Sequence, residues 1–337
     1  MKKRTLTDIL YDYALYFIIG ILLLVIIAME PSFVRLSNVT TILTQSATKI
    51  IYACGVAGII VLGGTDLALG REVGLAAVIA ASLLQAADYS QRIFSLDTVP
   101  ALPLIVPLLL VMVILAVISG LRGFVVAHWG VAPFIASLGI QLVSYGLCLQ
   151  YFNGVCNSNP VSGFDKFFSK FCQGTIRIGG LSLSYLMFYA IAVVAIMWII
   201  WNRTTLGKNM FAIGGNREAA KVCGVNVKRT MIIVYVIAGI LYAFGGVLEA
   251  GRTGSANSTM GTDYAMDAIA ACVVGGISMK GGIGTLPGVV VGVIIFQIIS
   301  YGLIYVGVSP DLQYVVKGMI IIVAVVLDNR KTMRKAA

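Results

Sequence analysis

The chain has 337 residues, of which 59% are apolar and 11% are charged, and its mean hydropathy is +0.97. Because a soluble domain carries about 25% charged residues, this composition excludes a soluble fold and predicts that lipid solvates most of the chain. The formal net charge of +10 gathers on no soluble basic module, which excludes a nucleic-acid-binding protein.

Ten apolar stretches separated by short loops predict a single all-α, polytopic membrane domain over residues 1–337. The first stretch, 14–29, reaches the roughly 20 residues that cross a bilayer if residues 10–13 join it. Basic residues precede it as in a signal sequence, but no small-residue cleavage site follows, so we interpret it as an uncleaved helix. The remaining spans are expected near 42–63, 73–87, 103–121, 131–152, 184–201, 230–250, 265–278, 286–306 and 312–327.

The distribution of basic residues predicts the orientation. An even number of spans places both termini on one side, and with the N-terminus inside, sixteen of the 24 Lys and Arg residues fall on the inner side, Arg71 and Arg122 among them. Six fall outside, including Arg252. The positive-inside rule therefore predicts cytosolic N- and C-termini, with an inner loop at 202–229 and an outer loop at 153–183.

Cysteine and histidine usage gives one open question. Cys156 and Cys172 both lie in the outer loop, so a disulfide between them is open if that loop faces an oxidising compartment. No cysteine or histidine pair has zinc-ligand spacing, and His128 beside Trp129 is interpreted as an interfacial residue. No metal site is expected. The other cysteines, Cys54, Cys148, Cys223 and Cys272, are expected to be small buried side chains.

Signatures of nucleotide binding and catalysis are missing from the sequence. No run reads G-x-x-x-x-G-K-[ST], and the nearest, 275–285, has Lys280 before its glycines rather than after them. There is also no G-x-S-x-G turn, no H-E-x-x-H helix and no paired catalytic carboxylates. We therefore expect that the chain is not an enzyme and binds no cofactor itself.

The inner loop contains a short segment that predicts a two-turn helix, beginning at Asn216 and ending at Gly224. Asn216 can cap the N-terminus, Glu218 meets the positive end of the helix dipole and Lys221 the negative end. Gly224 suits the left-handed position that ends many helices.

Such a short helix is marginal alone and should pack against another surface. Ala219 and Ala220 offer a face small enough to enter a groove. The alternative is a solvated loop whose basic residues only set the orientation.

These residues carry a resemblance. Glu218-Ala219-Ala220 followed after three residues by Gly224 resembles the E-A-A-x-x-x-G signature in permease subunits of ATP-binding-cassette importers. The chain lacks the I-x-L-P ending of the wider signature, as is usual in the ribose, galactose and xylose branch. Further segments similar to that branch are 211–216, 224–227, 64–67, 267–271, 317–318 and 327–328. Residues 70–74 and 162–165 look most like its permeases for galactose and methyl galactoside.

The resemblance covers essentially the whole chain and implies a permease subunit of the bacterial inner membrane. It implies import of galactose, methyl galactoside or a related monosaccharide by a homodimer. It also implies a cytosolic ATPase subunit that holds ATP and Mg²⁺, and a periplasmic galactose-binding protein that delivers the sugar to the 153–183 side. Residues 216–224 would be the coupling helix, docked on the ATPase.

Polar residues within the apolar spans are candidates for the path of the sugar. A monosaccharide needs hydroxyl partners and flat apolar surface, although each polar residue in an apolar span is better explained, taken alone, by an interhelical hydrogen bond. The candidates are Gln45, Asp66, Gln141, Tyr145, Asp267, Gln297 and Tyr301. Two glycine-broken corners, 62–70 and 274–282, align at an offset of 212, which indicates a duplicated half.

Charges in or near the spans leave a second function open. A charge at mid-bilayer costs about 2.5 to 3.5 kcal/mol on insertion scales and needs a reason. Asp66, Arg71, Glu72, Asp267 and Lys317 could therefore form a proton relay in a proton-coupled sugar symporter. The alternative is that the first three crowd an inner corner where water and mutual pairing offset that cost. A membrane enzyme is a third class, without a reactive constellation to support it.

Overall fold

The computed structural model describes residues 20–97, 99–100, 102–178 and 181–336, without the side chains of residues 178, 324 and 327–336. The beginning of the first predicted span, 14–19, and the basic residues Lys2, Lys3 and Arg4 lie outside the described residues.

The described chain is a bundle of helices with one small β-hairpin. The helices are α1 Gly20–Met29, α2 Leu36–Val61, α3 Leu69–Leu83, α4 Ile105–Trp129, α5 Pro133–Gly154, α6 Lys166–Gln173, α7 Tyr185–Arg203, α8 Thr205–Gly215, α9 Arg217–Val222, α10 Val227–Thr253, α11 Tyr264–Val274, α12 Leu286–Tyr305 and α13 Pro310–Ala336. A 3-10 turn, Pro31–Val34, joins α1 to α2. Strands β1 Thr175–Ile178 and β2 Leu181–Ser184 pair antiparallel between α6 and α7.

The all-α polytopic fold is confirmed, since each of the ten predicted spans corresponds to a helix. Six helices of the described part, α2, α4, α5, α7, α10 and α12, are long and apolar enough to cross a membrane. Helices α3 and α11 are shorter, with 15 and 11 residues. The number of crossings therefore stays a prediction. Helices α6 and α8 and the hairpin were not predicted, because they lie in segments without apolar periodicity.

Helix α10 is the centre of the bundle and packs against α2, α3 and α4. Its glycines allow main chains to approach closely. A Cβ atom at Gly239 would overlap the carbonyl oxygen of Leu115 in α4, and one at Gly246 would come within 2.5 Å of the carbonyl oxygen of Val73 in α3. Small residues at contacts of this kind are how helices associate inside lipid, where no hydrophobic force drives them together.

The two ends of the bundle differ in structure. At one end, called the hairpin end, α6 packs against α10, and strand β2 of the hairpin packs against α2 and α7. There Gln85 Nε2 donates to the carbonyl of Ser162 at 2.8 Å, and Gln173 Nε2 donates to the carbonyl of Gly251 at 2.9 Å. The opposite end, called the α9 end, carries α8, α9 and the turns that follow α2 and α11.

Candidate functional site

Helix α9 forms where the sequence predicts it, with both of its predicted caps. Asn216 Oδ1 accepts a hydrogen bond from the amide of Ala219 at 3.0 Å. At the other end Gly224 has φ +82°, and its amide bonds to the carbonyl of Lys221 at 3.0 Å while the amide of Val225 bonds to the carbonyl of Ala220 at 3.0 Å. These two bonds and the left-handed glycine define a Schellman turn, which ends the helix at a fixed residue.

One side of α9 faces solvent and carries its three charged residues, Arg217, Glu218 and Lys221. Glu218, Ala219 and Lys221 are exposed, and Val222 is 88% exposed. A cleft of about 380 Å³ opens beside the helix and is lined by Arg217, Glu218, Lys221, Val225, Asn226, Val227 and Lys228.

The two small residues of α9, Ala219 and Ala220, lie on different sides of the helix, and only Ala220 is packed in a groove of this chain. Its side chain is 5% exposed and packs into the chain, because neighbouring residues on a helix point about 100° apart. Ala219 is exposed and stays available on the outer side of α9.

Helix α8 runs directly into α9, and its last turn touches two other parts of the chain through glycine. We call this contact the glycine junction; it consists of Val61, Gly63, Gly214, Gly281 and Gly282. The amide of Gly282 donates to the carbonyl of Val61 at 2.8 Å. A Cβ atom at Gly214 would overlap that same carbonyl oxygen, and one at Gly281 would lie 2.8 Å from the amide nitrogen of Gly63. Helix α8 is thus joined to the end of α2 and to the loop between α11 and α12 by direct main-chain contact.

The two glycine corners of the sequence share one local structure. After α2, Gly63 has φ +83° and its amide bonds to Ile60, while the amide of Gly64 bonds to Ile59. After α11, Gly276 has φ +87° and makes the same bond to Val273. The equivalent glycines are therefore Gly63 and Gly276, at an offset of 213 rather than 212. The duplication itself stays a prediction.

A fully enclosed ion cluster lies between α3, α4 and α10. Arg122 Nη1 lies 2.8 Å from Asp66 Oδ1 and 3.1 Å from Glu72 Oε1, and all three side chains have no solvent exposure. Ser119 Oγ donates to Glu72 at 2.8 Å, and Tyr242 Oη donates to Asp66 at 2.8 Å. Since each charge has an opposite charge and further hydrogen bonds, the cluster holds the chain between α2 and α3 against α4 and α10.

This cluster corrects two expectations. Arg122 was counted among the inner-loop charges, but α4 continues past the predicted end at residue 121 to Trp129 and carries Arg122 into the interior. Asp66 and Glu72 were expected at a wet inner corner, and Asp66 was also a candidate for the sugar path. Both carboxylates are instead enclosed by protein, so Asp66 lines no open path in this structure.

The five charges of the symporter hypothesis are not assembled. Arg71 lies outside the Arg122 cluster, with its guanidinium 3.9 Å from the ring centroid of Tyr145 and Nη1 3.3 Å from Thr262 Oγ1. Lys317 Nζ binds both carboxylate oxygens of Asp267 at 3.1 and 3.2 Å. Among the described residues, no hydrogen bond or ion pair joins Asp267 to the Arg122 cluster.

The candidate path residues fall into two groups. Gln297 Nε2 donates to Gln45 Oε1 at 2.6 Å, Tyr301 Oη donates to Asn38 Oδ1 at 3.1 Å, and Asp267 lies beside Gln297 in the same region. These four candidates follow a polar seam, which we define as the contact of α2 with α11 and α12. Asp66, Gln141 and Tyr145 lie elsewhere, and their role in transport stays a prediction.

Sequence reasoning missed a further ion pair, within α10 and hydrogen-bonded to α2 and α11. Glu249 Oε1 lies 2.7 Å from Arg252 Nη2, and Glu249 also accepts hydrogen bonds from Thr48 at 2.7 Å and Tyr264 at 2.8 Å. Arg252, counted as an outer charge, lies in the last turn of α10. The spacing of Glu249 and Arg252, three residues apart on a helix, was a signal that could have revealed the pair.

The outer-loop cysteines are not bonded to each other. Cys156 and Cys172 are both buried free thiols. Cys172 packs against Gly251 and Phe168. Burial raises the pKa of the Cys156 thiol to about 11 and that of Cys172 to about 12.

His128 is exposed and stacks on Phe124 with ring centroids 4.2 Å apart, as an interfacial residue would. Among the described residues, no three His, Cys, Asp or Glu side chains are grouped to hold a metal ion.

Known proteins resemble this chain over almost its whole length. Residues 38–325 match the family described as branched-chain amino acid transport system / permease component. The galactose/methyl galactoside import permease proteins MglC of Escherichia coli K12 and of Haemophilus influenzae Rd are each 50% identical to the chain, over 99% of both partners. The ribose import permease protein RbsC of Bacillus subtilis 168 is 33% identical over 93% of this chain and 92% of its own. No solved structure matches.

Proposed function

The chain belongs to the permease family of the branched-chain amino acid transport system, and from this premise we propose that it is the transmembrane subunit of an ATP-binding-cassette importer for galactose and methyl galactoside. The single observation that carries the substrate is the 50% identity to the galactose/methyl galactoside import permease proteins over 99% of both chains. Identity to the ribose import permease protein is lower, at 33%. We place the chain in the bacterial inner membrane, with a second copy of itself beside it.

The exposed helix α9 supports the part of the proposal in which a partner subunit supplies the energy for transport. The sequence has no nucleotide-binding run, so ATP and Mg²⁺ belong on a partner subunit and the driving force must enter through contact. The exposed side of α9, with Glu218, Lys221 and the cleft beside them, offers a small rigid element for that contact. The two caps fix its shape before any partner binds.

The glycine junction supports the next step of the proposal, in which motion of the ATPase is transferred through α9 and α8 to the membrane helices. When the ATPase moves α9, α8 moves with it, and Gly214 has no side chain that could yield between it and Val61 or Gly282. Close-packed interiors transmit displacement because they do not deform gradually. The ends of α2 and α11 therefore move with the coupling helix, which tilts the helices that form the polar seam.

The hairpin end of the bundle, opposite α9, is the proposed docking surface for the protein that delivers the sugar. With the orientation that the basic residues predict, the hairpin end faces the periplasm. A galactose-binding protein would dock there, on the surface that α6 and the hairpin build.

A proton-coupled symporter is favoured by one observation, the presence of two buried carboxylates, Asp66 and Glu72, on one arginine. A cluster of this composition carries an excess negative charge that one proton would neutralise. The cluster has no exposed side-chain atom through which protons could enter in this structure, and the remaining charges of the relay lie elsewhere.

The two mechanisms separate in an uptake experiment. Radiolabelled galactose uptake is measured in cells with and without this chain, in the presence of its ATPase and binding protein. Energised uptake should be abolished by vanadate and survive a protonophore at constant ATP. Uptake that survives vanadate and collapses with the protonophore would establish the symporter instead.

A further inference from the structure

Three charged side chains at the polar seam belong neither to α8 and α9 nor to the Arg122 cluster. Asp267 of α11 lies between two lysines: Lys317 Nζ of α13 is 3.1 Å from its Oδ2, and Lys49 Nζ of α2 is 3.8 Å from the same oxygen. We call these three residues the Asp267 cluster. It ties three helices together.

The Asp267 cluster lies deep in the bundle and is not fully enclosed. Lys49 is the fourteenth of the 26 residues of α2, halfway between its ends. The side chains of Lys49, Asp267 and Lys317 keep 20%, 11% and 18% of their surface exposed. Charged groups at the centre of a bilayer face a water-filled cavity or a protein partner rather than lipid. The exposed part of these three side chains therefore faces water or protein.

A small cavity adjoins the Asp267 cluster within the bundle. It measures about 10 Å³ and is lined by Lys49, Tyr52, Asp267, Ala268, Ala271, Val293, Phe296 and Gln297. Tyr52 and Gln297 are 1% and 3% exposed, and within the described part of the chain Tyr52 Oη and Gln297 Oε1 have no hydrogen-bond partner. A space of this size fits about one water molecule or one hydroxyl group. Two buried polar atoms thus point to a group that can donate and accept hydrogen bonds.

The composition of this region fits a neutral sugar. The hydroxyls of a sugar both donate and accept, and the region offers acceptors on Asp267 and Gln297 and donors on Lys49 and Lys317. Phe296 supplies an apolar ring close to these groups, with Lys317 Nζ 5.9 Å from its centroid. Because cations and an anion are interleaved, a charged substrate would meet a like charge on one side or the other.

We propose that the Asp267 cluster, with Tyr52, Phe296 and Gln297, is a subsite for the hydroxyl groups of a neutral monosaccharide on the translocation path. The proposal rests on the proposed function and adds the residues that contact the sugar. The cavity is closed to a sugar ring in this structure. In this proposal it opens when α11 moves, because the loop after α11 contains Gly281 and Gly282 of the glycine junction, which Gly214 of α8 contacts.

The first test measures water access and sugar protection. In a Cys223→Ser background, Lys317→Cys and Ile322→Cys are compared in cells that express the whole importer, using a charged methanethiosulfonate reagent. Ile322 is the matched control on the same helix, more exposed at 64% but apolar. A thiol reacts as a thiolate, which requires water, so Lys317→Cys should be modified about 10-fold faster than Ile322→Cys. Galactose, methyl galactoside or ribose should slow the modification at position 317.

The second test separates a sugar contact from a structural tether. Asp263 and Asp267 both bind α13, since Tyr314 Oη donates to Asp263 Oδ2 at 2.8 Å. Asp267→Asn should lower galactose uptake by about 10-fold at saturating loaded binding protein, the effect of losing a hydrogen bond to a charged group. Asp263→Asn should leave uptake within about 2-fold, because a surface contact of this kind contributes little.

Several results would overturn the subsite. They are equal modification of Lys317→Cys and Ile322→Cys, modification that none of the three sugars slows, or equal loss of uptake in Asp263→Asn and Asp267→Asn. The proposed function fails on different evidence, namely vanadate-resistant galactose uptake by the unaltered chain. The modification assay measures protection at position 317 by any of three sugars rather than galactose uptake, so its failure is distinct from a failure of the proposed function.

Discussion

The amide nitrogen of Gly282 lies 2.8 Å from the carbonyl oxygen of Val61, so the turn after α11 is hydrogen-bonded to the end of α2. Gly214, the penultimate residue of α8, lies against this bond from the side. In the proposed mechanism, motion of α8 and α9 therefore reaches the end of α2 and the loop after α11 through a single point.

The glycine junction predicts opposite outcomes for two neighbouring substitutions. Gly214→Ala should reduce galactose uptake by about 10-fold, since overpacking costs about 1–3 kcal/mol and its Cβ would overlap the Val61 carbonyl. Gly215→Ala is the control, because its Cβ would meet no atom within 4 Å. Both changes favour helix to the same extent. Equal uptake by the two variants, at equal amounts of chain in the membrane, would contradict a role for the junction in coupling.

The caps and charge of α9 predict a loss of coupling without a loss of insertion. Gly224→Val places a β-branched residue at φ +82°, where a left-handed conformation costs about 1–2 kcal/mol. Uptake should fall while the chain still reaches the membrane, as measured by immunoblot of the membrane fraction.

Glu218→Lys should act in the same direction by reversing the charge on the exposed side of α9, and Glu218→Asp is its control. Co-purification of the ATPase with each variant gives the direct measure of docking. Normal uptake by Gly224→Val or by Glu218→Lys would remove α9 from the coupling mechanism.

The Arg122 cluster predicts a large effect on stability. Arg122→Met leaves two buried carboxylates without their cation, so the free energy of unfolding should fall by about 3–5 kcal/mol. Unfolding of the purified chain in mixed detergent and sodium dodecyl sulfate measures this change.

The matched control is Arg71→Met, which loses a half-exposed contact with the Tyr145 ring and an exposed hydrogen bond to Thr262, and should cost about 1 kcal/mol. Neutralising the carboxylates as well, with Asp66→Asn and Glu72→Gln, should restore part of the stability of Arg122→Met. Equal destabilisation by the two arginine changes would show that the buried charges are not decisive.

The outer-loop thiols predict slow chemical modification. Since burial raises the pKa of Cys156 to about 11 and of Cys172 to about 12, both are protonated at neutral pH, and the thiolate forms only as the pH rises through those values. Cys223 is exposed, which corrects the expectation that it is buried. Iodoacetamide at pH 7.5 should modify Cys223 first and reach Cys156 and Cys172 only after unfolding. Mass spectrometry without reductant should find both as free thiols, and a bridged peptide would contradict the structure.

Local signals in the sequence were sufficient for the ten apolar helices and for α9, but not for α6 and α8. The apolar stretches are long, and the cap residues Asn216 and Gly224 act within a few residues of each other, so no tertiary information was needed. The partner of Asp66 could not be identified in this way. Arg122 is 56 residues away and follows an apolar run, where a basic residue is equally expected at a membrane surface.

Within the candidate site, the sequence identified the polar residues in the spans but did not show which of them contact one another. Gln45 and Gln297 were both candidates, yet their contact depends on how α2 packs against α12. Ala220 shows the same limit on a smaller scale, since its direction is set by the helix phase and by the surface on which α9 rests.

The position of Arg122 in the chain has a consequence for biogenesis. Asp66 and Glu72 are synthesised before Arg122, whereas Tyr242 follows 120 residues after it. When α4 leaves the ribosome, the two acidic groups that neutralise its arginine already exist, so the translocon can release the first part of the bundle as one assembled unit. The arrival of α10 then closes that unit during the later stage of synthesis.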